Sequence, residues 1–332
     1  MNIRKMCEKA ARFTLIAAAA IAMAGCGQEK ETAGSTVHKA PEGATLKLAF
    51  VTNNASDFWK IASAGVDKYE KEAGVQVDVS MPNPGTTAEQ NRIIEDLVSQ
   101  GYHGIAVSAV APADQVPEIN RAARKTNVIT HDSDAPKSDR LAYIGTNNFE
   151  AGKKLGEQIV KLLPQGGEIA VFVGTFSADN ARERLRGIEE AIKDHKIEII
   201  EKREDNTDRA LARSNVENVL NARPNVDVLV GLWSYNGPAI AAALEASGKK
   251  DTVKAAVFDE EEGTLKGIAD GTIAVTVVQK PFEFGYQSSK MLHQLATTGT
   301  APQQPIVDTG VEVIEASNVE AFRQKLAEMT KS

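Results

Sequence analysis

The segment Leu46–Val79 reads LKLAFVTNNASDFWKIASAGVDKYEKEAGVQVDV. The apolar, β-branched run Leu46–Thr52 predicts a strand, and the polar stretch from Asn53 to Asp57 interrupts it. Phe58–Ala73 has the spacing of an amphipathic helix and meets Gly74, a residue suited to ending one. Val75–Val79 then predicts a second strand. Two strands joined by a crossover helix lie parallel, because a helix of this length returns the chain to the same edge direction.

The alternation continues outward from this unit. Thr87-Ala-Glu-Gln90 reads as a capping box, with Ile93, Ile94, Leu97 and Val98 on one helical face and Gly101 at its end. Strands follow at Ile105–Ser108, Asn127–His131 and Leu141–Ile144, with a helix over 113–126. A second series places strands at Glu168–Val173, Ile197–Ile200, Val226–Leu232, Ala255–Phe258 and Ile273–Val278. Helices near 149–163, 180–194, 208–222, 238–247 and 261–270 separate them. Residues 281–301 read as a further helix and 302–313 as a closing strand region. That many strands exceed one comfortable open sheet, so the expected fold is α/β, with two doubly wound parallel-sheet lobes.

Of the 332 residues, 42% are hydrophobic and 25% charged, which suits a packed globular chain and not a disordered one. The N-terminus is basic, with Arg4, Lys5, Lys9 and Arg12 against Glu8, while the whole chain carries a net charge of −7. The body is therefore acidic, and a nucleic-acid partner is not expected. From Phe13 to Met23 runs an apolar stretch too short to span a bilayer, followed by Ala24-Gly25-Cys26. This is a signal-peptide pattern, and Met-Ala-Gly-Cys resembles a lipobox, with Cys26 the lipidated residue. Residues 1–25 are read as the signal and 26–44 as a flexible, polar tether. Both cysteines, Cys7 and Cys26, lie in these segments, so the body has no disulfide or thiolate metal site.

In open α/β sheets ligands bind beyond the carboxyl ends of the strands. Those ends carry Asn53, Asn54, Phe58 and Trp59, then His131-Asp132-Ser-Asp134, then the 174–184 stretch with Arg182 and Arg184. Beyond them come 204–208, Trp233-Ser-Tyr235-Asn236, Asp259 and Gln279. Aromatic faces beside carboxylates, amides and an arginine suit a polyhydroxyl solute, whose C–H faces and hydroxyls need both. The run Glu260-Glu-Glu262 reads as a solvated loop and helix start, favoured by the helix dipole.

Taken in order and spacing, several of these pieces resemble the type I periplasmic solute-binding proteins, in the ribose-binding-protein-like branch that serves sugar ABC transporters. They are Asn-Asn before Phe-Trp, the Asp after Val-Ile-Thr, Ala181-Arg-Glu-Arg184, Val257-Phe-Asp259 and Val278-Gln279. The resemblance implies two lobes joined by three hinge strands that close on one sugar. The chain would cross between lobes near 145–147, 278–281 and 306–310. The N-terminal lobe would then hold 45–145 plus 281–305, and the C-terminal lobe 146–280 plus 306–332. Carried over, the ligand contacts are Asn54, Phe58, Trp59 and Asp132 in the first lobe and Arg182, Asp259 and Gln279 in the second. Trp233 is expected as a stacking platform, and Asn236 as either a ligand contact or a helix N-cap. Ser133-Asp134 stands where the ribose pattern has Arg after its Asp, and Trp233-Ser-Tyr235-Asn236 where it has Gln-Asn-Asp; both departures weigh against ribose.

No Walker A, Gly-x-Ser-x-Gly, dinucleotide fingerprint or His-Glu-x-x-His is present, and the five histidines are widely spaced. No catalysis, cofactor or metal is expected. The expected protein is a monomeric, lipid-anchored sugar carrier in the periplasm or on the outer face of the cell membrane, with an ABC permease as partner. A sugar sensor docking on a membrane kinase or chemoreceptor is the alternative, while a LacI-type regulator and an exported glycosidase fit less well.

Overall fold

Strand β1 (Leu48–Val51) is wholly buried and runs into the helix α1 (Asp57–Ala73). Gly74 ends that helix in the left-handed region at φ 65°, donating its N–H to the Glu70 carbonyl. The computed structural model describes residues 36–329. The signal segment, Cys26 and tether residues 26–35 lie outside them. The first lobe continues through β2 (Val77–Ser80), α2 (Thr87–Ser99), β3 (Gly104–Val107), α3 (Pro112–Ala123), β4 (Asn127–His131) and β5 (Tyr143–Gly145). The second begins with α4 (Asn148–Leu162), β6 (Gly167–Val173), α5 (Asp179–Ile192), β7 (Ile197–Glu204) and α6 (Arg209–Ala222). It goes on through β8 (Val228–Gly231), α7 (Asn236–Ser247), β9 (Lys254–Phe258), α8 (Glu262–Ala269) and β10 (Val275–Val278). The chain closes with α9 (Pro281–Thr298), β11 (Ile306–Asp308), β12 (Glu312–Ile314) and α10 (Val319–Met329), the last a helix that the sequence pattern did not reveal.

Two six-stranded sheets result, ordered β11-β5-β4-β3-β1-β2 and β12-β10-β9-β8-β6-β7. All neighbours pair in parallel except β12, which runs antiparallel to β10. Each sheet is packed on both faces, which is why its strands are continuous apolar runs and not alternating ones. The strand orders match position for position, so β4 of one lobe corresponds to β9 of the other. In each sheet the chain turns from one side to the other around β1 or β6, and there the crevice opens.

Three local expectations are corrected. The cap of α2 is Thr86, one residue earlier than read, and its side chain accepts from Glu89 N. That phase turns Gln90 inward, where Nε2 donates to the Thr52 and Ser108 carbonyls at 2.8 and 2.7 Å. Residues 306–308 stay with the first lobe, because β11 pairs with β5 from Ile306↔Tyr143 to Asp308↔Gly145. The third crossing therefore falls at 309–311. The end of the presumed tether is also fixed: His38 N donates to Asn127 Oδ1 at 2.9 Å, and Asn127 Nδ2 returns a bond to His38 O at 2.7 Å.

In each lobe two helices cross at glycine. A Cβ at Gly285 of α9 would lie 1.9 Å from the Ala62 carbonyl of α1, and one at Gly152 of α4 would lie 2.0 Å from the Arg184 carbonyl of α5. Gly152→Ala must push α5 off α4, and overpacking of this kind costs about 1–3 kcal/mol. Urea unfolding should show that loss, whereas an Ala at Gly248, where a Cβ has open space, should show only the smaller penalty of a left-handed backbone.

Candidate functional site

Asp132 and Asp259 leave corresponding strands, β4 and β9, and both adopt left-handed backbones, at φ 54° and 66°. Such a conformation costs roughly 1–3 kcal/mol in a residue other than glycine. The turn is held by the same bond in each lobe: Asp132 N donates to Ile144 O at 3.1 Å and Asp259 N to Val277 O at 3.0 Å. Asp132 Oδ2 accepts from Ser108 Oγ at 2.8 Å and from Asn53 Nδ2 at 3.4 Å. Asp259 Oδ1 accepts from Gln279 Nε2 at 3.0 Å.

Between them lies Arg184, 2% exposed. Its Nη1 donates to Leu232 O at 2.6 Å and stands 3.8 Å from Asp259 Oδ2, while Nε donates to Asn148 Oδ1 at 2.9 Å. The guanidinium centre sits 4.2 Å over the Phe258 ring. Burial lowers the Arg184 pKa, and the charges of Asp259 and Asp132 oppose that shift. Burial pushes Asp132 up to about 6, against the Ser108 hydrogen bond and the Arg184 charge. Burial likewise raises Asp259, with Arg184 and Gln279 pulling it back.

Two openings flank this cluster. One, of 1110 Å³, has Phe58 and Ile61 of α1 facing Asp259, Glu260 and Arg209. The other, of 650 Å³, has Asn53, Asp132 and Ser133 facing Asn148, Arg182 and Trp233. Each opening thus has one of the two aspartates and one aromatic ring in its wall, Asp259 with Phe58 and Asp132 with Trp233, and Arg184 is buried behind them.

Several expected contacts sit elsewhere. Trp59 is 1% exposed and belongs to the first lobe's core, not to a stacking surface; its Nε1 donates to Asn53 Oδ1 at 3.1 Å. Asn54 is exposed and points away, donating to Asn53 Oδ1 at 2.7 Å, so Asn53 is the amide at the Asp132 wall. Arg182, expected as a contact of the second lobe, is exposed at the rim, ion-paired with Asp179 and bonded to Ser177 O, and the arginine beside Asp259 is Arg184. Helical periodicity carried that signal: Ala181, Arg184, Leu185 and Ile188 form the buried stripe of α5. Asn236 is 1% exposed and holds the Trp233 loop, accepting from Trp233 N at 3.0 Å and donating to Asp205 Oδ2 at 3.2 Å. Asp205, which the sequence reading did not single out, also accepts from the Tyr235 hydroxyl and from Thr207 N. Trp233 itself is half-buried and leans on Gly174, where a Cβ would lie 2.0 Å from its ring.

The chain is similar along most of its length to proteins of known role. It is 24% identical over 304 residues to the xylose/arabinose-binding protein XylF of Sulfolobus acidocaldarius, covering 85% of this chain and 74% of the relative. An ABC transporter solute-binding protein from Burkholderia graminis, solved with D-arabinose, superposes with a TM-score of 0.78 at 33% identity, covering 84% of this chain and 98% of that one. A structure described as a XylFII–LytSN complex superposes with a TM-score of 0.73 at 27% identity, covering 82% and 99%. The periplasmic binding protein domain matches residues 48–301, which contain β1 to α9 and every residue of the cluster, and the chain accordingly belongs to that family.

Proposed function

We propose that this protein captures a monosaccharide or similar polyol between its lobes, outside the cytoplasm, and delivers it to an ABC importer. The observation that carries this reading is the buried Arg184 between two carboxylates from opposite lobes. A sugar can donate hydroxyls to Asp132 and Asp259 and accept from Arg184, while Phe58 and Trp233 cover its C–H faces. The bonds come from both lobes, so a ligand favours the closed arrangement over an open one. Ser108 and Gln279 donate to the carboxylates and hold them as acceptors, which suits binding without chemistry. The sugar-binding relatives point the same way. Docking on a sensor in place of a permease is the second reading, favoured by the neighbour solved as a complex with LytSN.

A thermal-shift screen against pentoses, hexoses, deoxysugars and polyols tests the reading directly. A ligand at 1,000 times its Kd should stabilise by about 4 kcal/mol, and no shift with any of them would sink it. With the sugar so found, Asp259→Ala should cost on the order of 2–4 kcal/mol, about 30- to 1,000-fold in Kd, and Asp259→Asn less. Arg182→Ala should stay near wild type by the same calorimetric titration, since its side chain is spent on Asp179 and Ser177.

The raised pKa of Asp132 gives stability and affinity opposite pH dependences. Its folded pKa of about 6 exceeds the ordinary 3.8, so its contribution to stability is full below the ordinary value and is lost as pH rises through 6. A sugar needs the ionised acceptor, so affinity should fall as pH drops below about 6. Asp132→Asn should flatten both profiles, read by unfolding and by titration across pH 4.5–8.

The lipid anchor is part of the proposal and rests on the lipobox-like segment. Cys26→Ser should release the protein from membranes or leave an unprocessed precursor. Normal processing with no lipid label on the wild-type protein would remove this element.

A further inference from the structure

The three glutamates after Asp259 look alike in sequence but have different surroundings. Glu261 pairs with Arg209 at 2.7 Å and Glu262 with Arg323 at 3.0 Å, both pairs partly exposed at the surface. Glu260 is 8% exposed, and its Oε2 has no hydrogen-bond partner among the described residues. The left-handed turn at Asp259 brings it inward. It lines the inter-lobe cleft beside Asp259, opposite Phe58 and Ile61, and also borders a 230 Å³ pocket under the hinge with Gln279 and Phe282. It therefore occupies the hinge end of the cleft.

A buried carboxylate oxygen without a partner costs stability, and a hydrophobic side chain of similar size would remove that cost. We propose that Glu260 is a third carboxyl contact to the bound sugar, recognising a hydrogen-bond-donating substituent, hydroxyl or ammonium, at the hinge end of the cleft. This assignment rests on the sugar-binding reading and makes it more specific. Burial and the charges of Asp259 and Glu261 raise the pKa of the group against a single backbone hydrogen bond, so a donor from the ligand to the unpartnered Oε2 relieves that environment. The corresponding position in the first lobe, after Asp132, is the small Ser133, so the recognition is one-sided. A solute with its donor at one end only would then bind in a single orientation.

Titration calorimetry of the full chain with D-arabinose, D-xylose, D-ribose, D-glucose, D-galactose, D-glucosamine and D-galactosamine tests the assignment. Glu260→Ala and the volume-keeping Glu260→Met should each weaken the best-bound probe at least tenfold, while the unliganded proteins melt no lower than wild type. Glu260→Gln keeps a carbonyl acceptor without the charge. It should stay within about threefold of wild type for a neutral sugar, marking a hydroxyl, and lose tenfold or more for an amino sugar, marking an ammonium. Wild-type binding with the Ala and Met variants within twofold for every probe would overturn the role of Glu260 and leave the sugar reading standing. A wild-type protein that binds none of these probes or the wider screen would overturn both.

Discussion

The architecture depends on one buried cation. Removing a guanidinium from water costs several kcal/mol even after relaxation, and only good geometry offsets it. Arg184 receives that geometry from four directions: the Leu232 carbonyl at the end of β8, Asn148 at the start of α4, the Phe258 ring and the Asp259 carboxylate. Asn148 lies just past the first lobe crossing and Asp259 at the end of β9. The residue thus ties the hinge, the second sheet and the binding wall into one unit. The close crossing of α4 and α5 at Gly152 and Gly187 sets its depth, since side chains there would separate the helices.

Around that cation the lobes repeat a single device. A strand ends in an aspartate in the left-handed region, the aspartate N–H bonds the next strand over, and a neighbouring polar side chain donates to its carboxylate. In the first lobe the donor is Ser108, backed by the buried Gln90–Gln115 pair that also holds the Thr52 and Ser108 carbonyls. In the second it is Gln279. The strain at each turn is held by a hydrogen bond to the next parallel strand, so the sheet itself sets each carboxylate.

Much of the fold was legible because its signals are local. Strand–helix alternation, the Gly74 stop and the unbroken apolar strands all follow from side-chain periodicity and backbone preference. Asp132 and Asp259 were legible too, each standing directly after a strand that could be read. What the sequence left undivided are pairs of like residues one or two positions apart: Asn53 and Asn54, Phe58 and Trp59, Arg182 and Arg184. The amphipathic phase of α5 could have separated the last pair. Nothing local distinguished the first two, whose outcome depends on how Trp59 packs on Phe50 and His131 in the finished core.

By itself the sequence determined two α/β lobes, their parallel sheets and their polar strand ends, because these depend on patterns a few residues long. Tertiary structure alone decided which of those polar side chains are buried and which stay exposed. Successive residues on a helix point about 100° apart, so a shift of two positions puts the buried Arg184 and the exposed Arg182 on nearly opposite faces. In the same way a single left-handed turn sends Glu260 inward while Glu261 and Glu262 pair at the surface. The outcome depends on distant contacts, which is why of three consecutive glutamates one is buried and two pair with arginines at the surface.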